Sequence, residues 1–206
     1  AFRGALSIKE SFLYLTLIQD QEEDLFKSES LYLTAIKRYP AYYKLYINLA
    51  KQYNHYNHIE EAKRCLNSAF KYNSLDPNLH NEMGVVLYKQ KDFSSAVNSF
   101  DKGLGICQKY NNNTNREASV CNKSVIHLDV FVKLLVNKGH ALRKLSRIEE
   151  AIEFYREAHE LEGNNWGIIS SLGFAYHFLG RLNEALEYYH KANYMDPENV
   201  FIKEMI

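Results

Sequence analysis

A chain of 206 residues has room for one large domain or two small ones. Its 25 Lys and Arg balance its 25 Asp and Glu, which argues against a nucleic-acid or membrane-surface protein, because those carry a basic excess. With 46% hydrophobic residues, 16 Tyr and 11 Phe against 3 Pro and 9 Gly, the composition excludes broad disorder and favours long helices over turn-rich sheet. The cysteines Cys65, Cys107 and Cys121 are odd in number and form no C-x-x-C, so a reducing compartment is expected rather than a disulfide framework or zinc site. No apolar run approaches the roughly 18 residues of a membrane span, and the N-terminal residues lack a signal-peptide pattern. The first residue is Ala1, not Met, which reads as a trimmed piece.

The chain repeats itself. Ser28, Ala62 and Ala96 follow one another at 34 residues, as do Ala151 and Ala185, and the step of 55 from Ala96 to Ala151 is one period plus 21. Twelve residues before each stand Thr16, Ala50, Gly84, Gly139 and Gly173, and seven after stand Ala35, Ala69, Gly103, Ala158 and Ala192. Four residues after each stands a large side chain: Tyr32, Leu66, Phe100, Tyr155 and Tyr189. The spacing predicts five helical hairpins, helix A then helix B, at 9–42, 43–76, 77–110, 132–165 and 166–199, with 200–206 opening a sixth. Numbered from the start of helix A, the small residues fall at positions 8, 20 and 27, where helices approach closely, and the bulky one falls at position 24, where it fills the space between them. One hairpin cannot bury its own apolar face, so the whole of 1–206 is expected to be a single stack.

In chain order, the first repeat is degenerate, with Thr16 and Ser28 at small positions and Gln19 where an aromatic is usual. Its turn carries Asp20, Glu22, Glu23 and Asp24, read as solvated charge. Pro40 marks the end of its helix B. Asp76 and Pro77 read as cap and first helical residue of the third helix A. Residues 111–131 are an insertion. Its Asn-rich start at 111–115 reads as a loop, and Val125, Ile126, Leu128 and Phe131 read as an upstream extension of the next helix A. Gly163 and Pro197 read as stops of the last two B helices. Phe201, Ile202, Met205 and Ile206 make an apolar stripe, expected to be covered by more solenoid or by another chain.

The period and its columns resemble the tetratricopeptide repeat, most clearly at 81–100 and 170–197. That resemblance implies an all-α solenoid, a right-handed superhelix of antiparallel helix pairs. Three segments are more particular: Asp-Pro-Asn-Leu-His-Asn-Glu-Met-Gly-Val-Val at 76–86, Leu-Tyr-Ile-Asn-Leu at 45–49 and Asn-Lys-Gly-His-Ala-Leu-Arg-Lys-Leu at 137–145. They resemble the scaffold-subunit family of the anaphase-promoting complex known as subunit six or cell division cycle protein sixteen, in its carboxy-terminal part. The resemblance implies a non-enzymatic subunit of a ubiquitin ligase that controls mitotic exit, found in nucleus and cytoplasm. It implies partners among the other subunits of that complex. Chief among them is the small accessory subunit cell division cycle protein twenty-six, whose extended N-terminal segment the repeats would enclose. It also implies homodimerisation through repeats other than these. No cofactor, nucleic acid or membrane is implied. Lys138 stands at position 7, where the repeat usually has Leu.

The groove of such a solenoid is lined by positions 2, 5, 6, 9, 12 and 13 of the A helices. These are Asn48, Lys51 and Asn54, then Asn81, Glu82 and Tyr88, then Lys133, Asn137, His140, Arg143 and Lys144, then Ser170, Phe174, His177 and Phe178. Amides suit the backbone of an extended peptide and aromatics suit its side chains; an ordinary solvated helix face is the plainer alternative. Lys133, Lys138, Arg143, Lys144 and Arg147 form a basic cluster that suits an acidic partner or simply water. His55 and His58 have H-x-x-H spacing but no third ligand nearby, so no metal is expected. A chaperone-type carboxylate clamp needs Lys and Asn at positions 5 and 9, and position 5 reads Leu13, Ile47, Asn81, Val136 and Ser170, which excludes it. The remaining alternatives are another repeat adaptor, for cargo or signalling, and a targeting domain of a larger enzyme.

Overall fold

The computed structural model describes residues 25–114 and 124–206. Helix A of the first repeat, with Leu13, Thr16, Gln19 and the acidic turn, lies outside them, as does Cys121. The helices are α1 (Leu25–Arg38), α2 (Tyr43–His55), α3 (Ile59–Phe70), α4 (Pro77–Lys89), α5 (Phe93–Thr114), α6 (Ser124–Lys144), α7 (Ile148–Leu161), α8 (Trp166–Phe178), α9 (Leu182–Met195) and α10 (Val200–Met205). The B helices α1, α3 and α5 begin 34 residues apart, and so do α7 and α9. Each helix packs on its neighbours in sequence, and the A helices α2 and α4, and α4 and α6, also touch. This is the all-α tetratricopeptide-repeat solenoid.

The columns explain the packing. Position 20 (Ser28, Ala62, Ala96, Ala151, Ala185) is 0–2% exposed in every repeat. Position 24 (Tyr32, Leu66, Phe100, Tyr155, Tyr189) is equally buried. Its partner is position 8 of the same repeat. A Cβ added to Gly84 or Gly139 would overlap the Phe100 or Tyr155 ring, and one on Gly173 would lie 2.9 Å from Tyr189. Where position 24 is the smaller Leu66, position 8 is Ala50, and both are buried. Size is traded within each of the four repeats whose position 8 is described, which holds the two helices of a hairpin at close distance.

The four described A–B turns repeat one device. Asn57, Lys91, Ser146 and Gly180 sit at position 15 with φ between 61° and 72°, and three of the four are not glycine. The next amide closes each turn: His58, Asp92, Arg147 and Arg181 donate to Tyr53, Leu87, Leu142 and Tyr176 at 2.7–3.0 Å. These are Schellman closures that satisfy the last carbonyls of helix A. The third helix A starts as expected, with Asp76 accepting from Asn78 at 2.8 Å and Pro77 at the first position.

One expectation needs correction. The Asn run does not open a loop at 111: α5 continues through Thr114, carried outward by buried Leu104 and Cys107, because a few Asn cost a packed helix only about 0.5 kcal/mol each. The helix before Gly163 does stop there, though not by a left-handed glycine. The α7 helix closes at Glu162, whose amide donates to Ala158, and Gly163 follows without positive φ. The upstream extension of the fourth helix A is present, since α6 begins at Ser124.

Candidate functional site

Along one side of the stack, the A helices α2, α4, α6 and α8 present a row of polar and aromatic side chains. The first half of the row is committed to the fold. Asn81 is 6% exposed, and its carbonyl oxygen accepts from the Asn137 amide at 2.9 Å, tying α4 to α6. The Asn81 amide in turn leans on Glu82 at 3.4 Å, and Lys51 of α2 approaches the same carboxylate at 3.7 Å. Burial pushes the Glu82 carboxyl above the usual carboxylate range, with Lys51, Asn81 and Lys133 opposing the shift. Asn48 is half-buried beside this chain. Asn54 keeps a buried side-chain oxygen without a partner, while its carbonyl accepts from Lys89 at 2.5 Å. Tyr88 packs its ring edge-on against Phe93 at 5.2 Å.

The second half is more open. The A helices α6 and α8 approach each other less than the earlier A-helix pairs do, and two clefts lie between them. One, of about 280 Å³, is lined by Lys133, Val136, Asn137, His140, Asn165 and Gly167 among others. The other, of about 290 Å³, is lined by His140, Arg143, Ser170, Ser171 and Phe174. His140 joins them, and its Nδ1 lies 2.8 Å from the Tyr155 hydroxyl. The same hydroxyl feels the positive charge of Arg143, while burial pushes its own ionisation far above the ordinary phenol range. The imidazole tautomer sets which of the two groups donates across this contact. Burial, aided by the Arg143 charge, drives His140 down to about 4, so the ring is neutral at pH 7.

Arg143 lies over Phe174 at 4.6 Å and near Phe178 at 5.7 Å, and the two rings meet edge-on at 5.0 Å. Ser170 is 9% exposed and donates to the Gly167 carbonyl at 3.0 Å, and Ser171 donates to the same carbonyl at 2.7 Å. His177 is exposed, 6.4 Å from the Tyr189 ring, and Lys144 is exposed.

The basic cluster does not survive as a patch. Lys133 pairs with Asp129 at 2.8 Å, Lys138 with Asp101 at 2.5 Å, and Arg147 with Glu150 at 2.6 Å. Lys138 also lies 3.8 Å over the Phe154 ring, which accounts for a lysine at an apolar position: its stem is buried while its amine finds a carboxylate. Arg143 and Lys144 are left, with no acidic partner among the described residues. Among those residues, no group of three His, Cys, Asp or Glu is placed to hold a metal.

Sequence reasoning missed Ser171, Gly167, Asn165 and Asp129 as lining residues. It also read the position-24 tyrosines only as fillers, although the Tyr155 hydroxyl reaches His140 on the A helix. The signal was there: this column holds Tyr in three repeats and Phe or Leu in the other two.

Comparison with known proteins agrees with this architecture. Residues 132–165 and 169–199 each match the tetratricopeptide repeat family. The chain is 29% identical over 185 residues to anaphase-promoting complex subunit 6 of Arabidopsis thaliana, covering 90% of this chain and 31% of that protein. It is 26% identical over 147 residues to anaphase-promoting complex subunit cut9 of Schizosaccharomyces pombe, covering 71% and 20%. Against the Homo sapiens cell division cycle protein 16 homolog it is 27% identical over 132 residues, covering 64% and 19%. The chain thus spans at most about a third of the length of these relatives. Among solved structures, the anaphase-promoting complex hetero-tetramer Cut9–Hcn1 superposes with a TM-score of 0.76 at 22% identity, over 90% of this chain and 33% of that one. Pseudomonas aeruginosa pilF superposes with 0.78 at 13% identity, over 97% and 82%. At these identities the superpositions speak for the fold.

Proposed function

We propose that this chain, a tetratricopeptide-repeat solenoid resembling subunit six of the anaphase-promoting complex, is a non-catalytic scaffold of that ubiquitin ligase. The carrying observation is the polar and aromatic face that α4, α6 and α8 present on one side of the stack, in a chain whose curated relatives are subunits of that complex. A rigid face of this kind orders an extended segment by pairing its backbone with amides and hydroxyls and seating its side chains on rings.

The finer reading is that the occupant is the N-terminal segment of the small accessory subunit cell division cycle protein twenty-six. Asn48, Lys51, Tyr88, Asn137, His140, Arg143, Lys144, Phe174 and His177 would face it, with Asn81 and Ser170 bracing them from behind. Support comes from a solved relative that is itself a hetero-tetramer of Cut9 with Hcn1. The protein would work in nucleus and cytoplasm, where the complex acts on mitotic exit. Affinity purification of the protein carrying this sequence, followed by mass spectrometry, tests the reading. Recovery of the other ligase subunits is expected, and their consistent absence from an otherwise clean purification refutes it.

A further inference from the structure

The turn between α7 and α8 leaves a tryptophan in the open. Trp166 is the single tryptophan of the chain, and it is 41% exposed at the first position of α8. Its equivalents Pro77 and Val132, at the first position of the third and fourth repeats, are buried. An open notch of about 560 Å³ is lined by Trp166 together with Glu162, Gly163, Asn164 and Asn165. Glu162 and Asn165 also line the cleft of about 280 Å³ between α6 and α8, so the notch continues the A-helix face towards the turn.

The polar groups of the notch favour one sign of charge. Asn165 is spent on the fold. Its Oδ1 accepts from the Gly167 and Ile168 amides at 3.0 and 3.4 Å, and its Nδ2 donates to Glu162 Oε2 at 3.1 Å. Those two amides at the start of α8 are thereby satisfied and are not free for an anion. The Asn165 amide also holds the Glu162 carboxylate in place, and no Lys or Arg meets that carboxylate among the described residues. Glu162 closes α7, whose C-terminal end carries partial negative charge. A cation is what the notch lacks. In the same half of the chain, Lys138, Arg143, Arg181 and Lys191 each lie over a ring at 3.8–5.3 Å. No cation of the described residues lies over Trp166, although indole is the aromatic that holds a cation best.

We propose that this notch takes an arginine side chain of an extended partner segment, its guanidinium stacked on Trp166 and hydrogen-bonded to Glu162. The assignment rests on reading the A-helix face as a peptide groove, and adds to it a basic residue at the α7–α8 turn. Arginine suits the notch better than lysine, because its planar fork lies flat on an indole while its edge meets a carboxylate. An acidic side chain would meet Glu162 at like charge, and an apolar one would strip water from that carboxylate without replacing it.

The test uses short end-blocked peptides of Ala, Ser and Leu that carry a single Arg at each position in turn. Each has a citrulline twin, which keeps the shape of arginine and removes its charge. Binding to the 206-residue chain is read by anisotropy of a labelled peptide and by the emission of Trp166. The best Arg peptide is expected to bind about tenfold more tightly than its citrulline twin and to shift that emission. Glu162→Gln keeps an oxygen for Asn165, so its melting temperature should hold while the Arg preference falls to within about twofold. Trp166→Leu, at a half-exposed site, should keep the fold and cut the preference severalfold, read by anisotropy alone. Equal binding of Arg and citrulline twins overturns the proposal. So does no binding of any peptide, a preference that survives both variants, or a preference that leaves Trp166 emission unchanged. Citrulline twins that bind as well as the Arg peptides sink the arginine site and leave the groove standing, and membership of the ligase is decided separately by co-purification.

Discussion

Gly84 and Phe100 give a quantitative check on how the hairpins are held. A Cβ built on Gly84 would lie 2.6 Å from Cζ and 2.7 Å from Cδ1 of Phe100, far inside the 3.5–4.0 Å at which carbons attract. Gly84→Ala should gain about 1 kcal/mol of helix propensity and lose about 1–3 kcal/mol to overpacking, a net change between zero and about 2 kcal/mol of destabilisation. Phe100→Leu, at a site 1% exposed, should cost about 1–1.5 kcal/mol as a near volume-conserving change. Together the two substitutions recreate the Ala50 and Leu66 pair that the second repeat already uses, both 0–1% exposed. In the double variant the clash is gone and the propensity gain remains, so it should lie near the parent. The coupling from a double-mutant cycle in urea should then favour the pair by about 1–3 kcal/mol. Additivity within about 0.5 kcal/mol would refute the claim that positions 8 and 24 share one space.

Further outcomes follow from the same geometry. Ala185→Leu, at a site 2% exposed, should destabilise by more than about 1 kcal/mol, read as a lower urea midpoint. Lys91→Gly should raise stability by about 0.5–1 kcal/mol because φ is 64° there, and Gly180→Ala, where φ is 72°, should lower it by a similar amount; thermal melts decide both. His140 is held down to about 4 in the folded chain, against the ordinary 6.5. Between those values the unfolded chain binds the extra proton, so this contribution is complete above pH 6.5 and is lost as pH falls towards 4. It is worth about 3 kcal/mol in all. His80 is lowered by burial as well and acts in the same direction. Comparing the parent with His140→Gln across pH 4–7 isolates the one ring, and a constant difference would contradict its buried, neutral state.

The period, the small columns and the helix boundaries were legible because packing enforces them in every repeat: one wrong side chain at position 8 meets a ring from position 24. The turns were less so. Position 15 needs a left-handed residue, but Asn57, Lys91 and Ser146 fill it as well as Gly180, so no residue type marks the place. Gly163 follows the end of α7 but without the positive φ that a glycine stop usually takes. The groove was legible as a list of positions and not as a set of roles. Nothing in the one-dimensional spacing reveals that Asn137 and Asn81 bond to each other across 56 residues, or that Lys138 turns away to Asp101. Whether a polar side chain is spent inside the fold depends on the neighbour one repeat away, which a period of 34 does not encode.

That dependence gives the groove its direction. Between α4 and α6 the polar row is closed upon itself, since Asn137, Asn81, Glu82 and Lys51 satisfy one another in sequence. Removing Asn137 would strip the donor from a buried carbonyl oxygen, at a cost of about 1–3 kcal/mol, so this stretch is first of all a structural brace. Between α6 and α8 the A helices draw apart, and Arg143 meets no carboxylate among the described residues. On the proposed reading of this face as a peptide groove, substitutions at its α6–α8 end should change binding while those at Asn81 and Asn137 change folding.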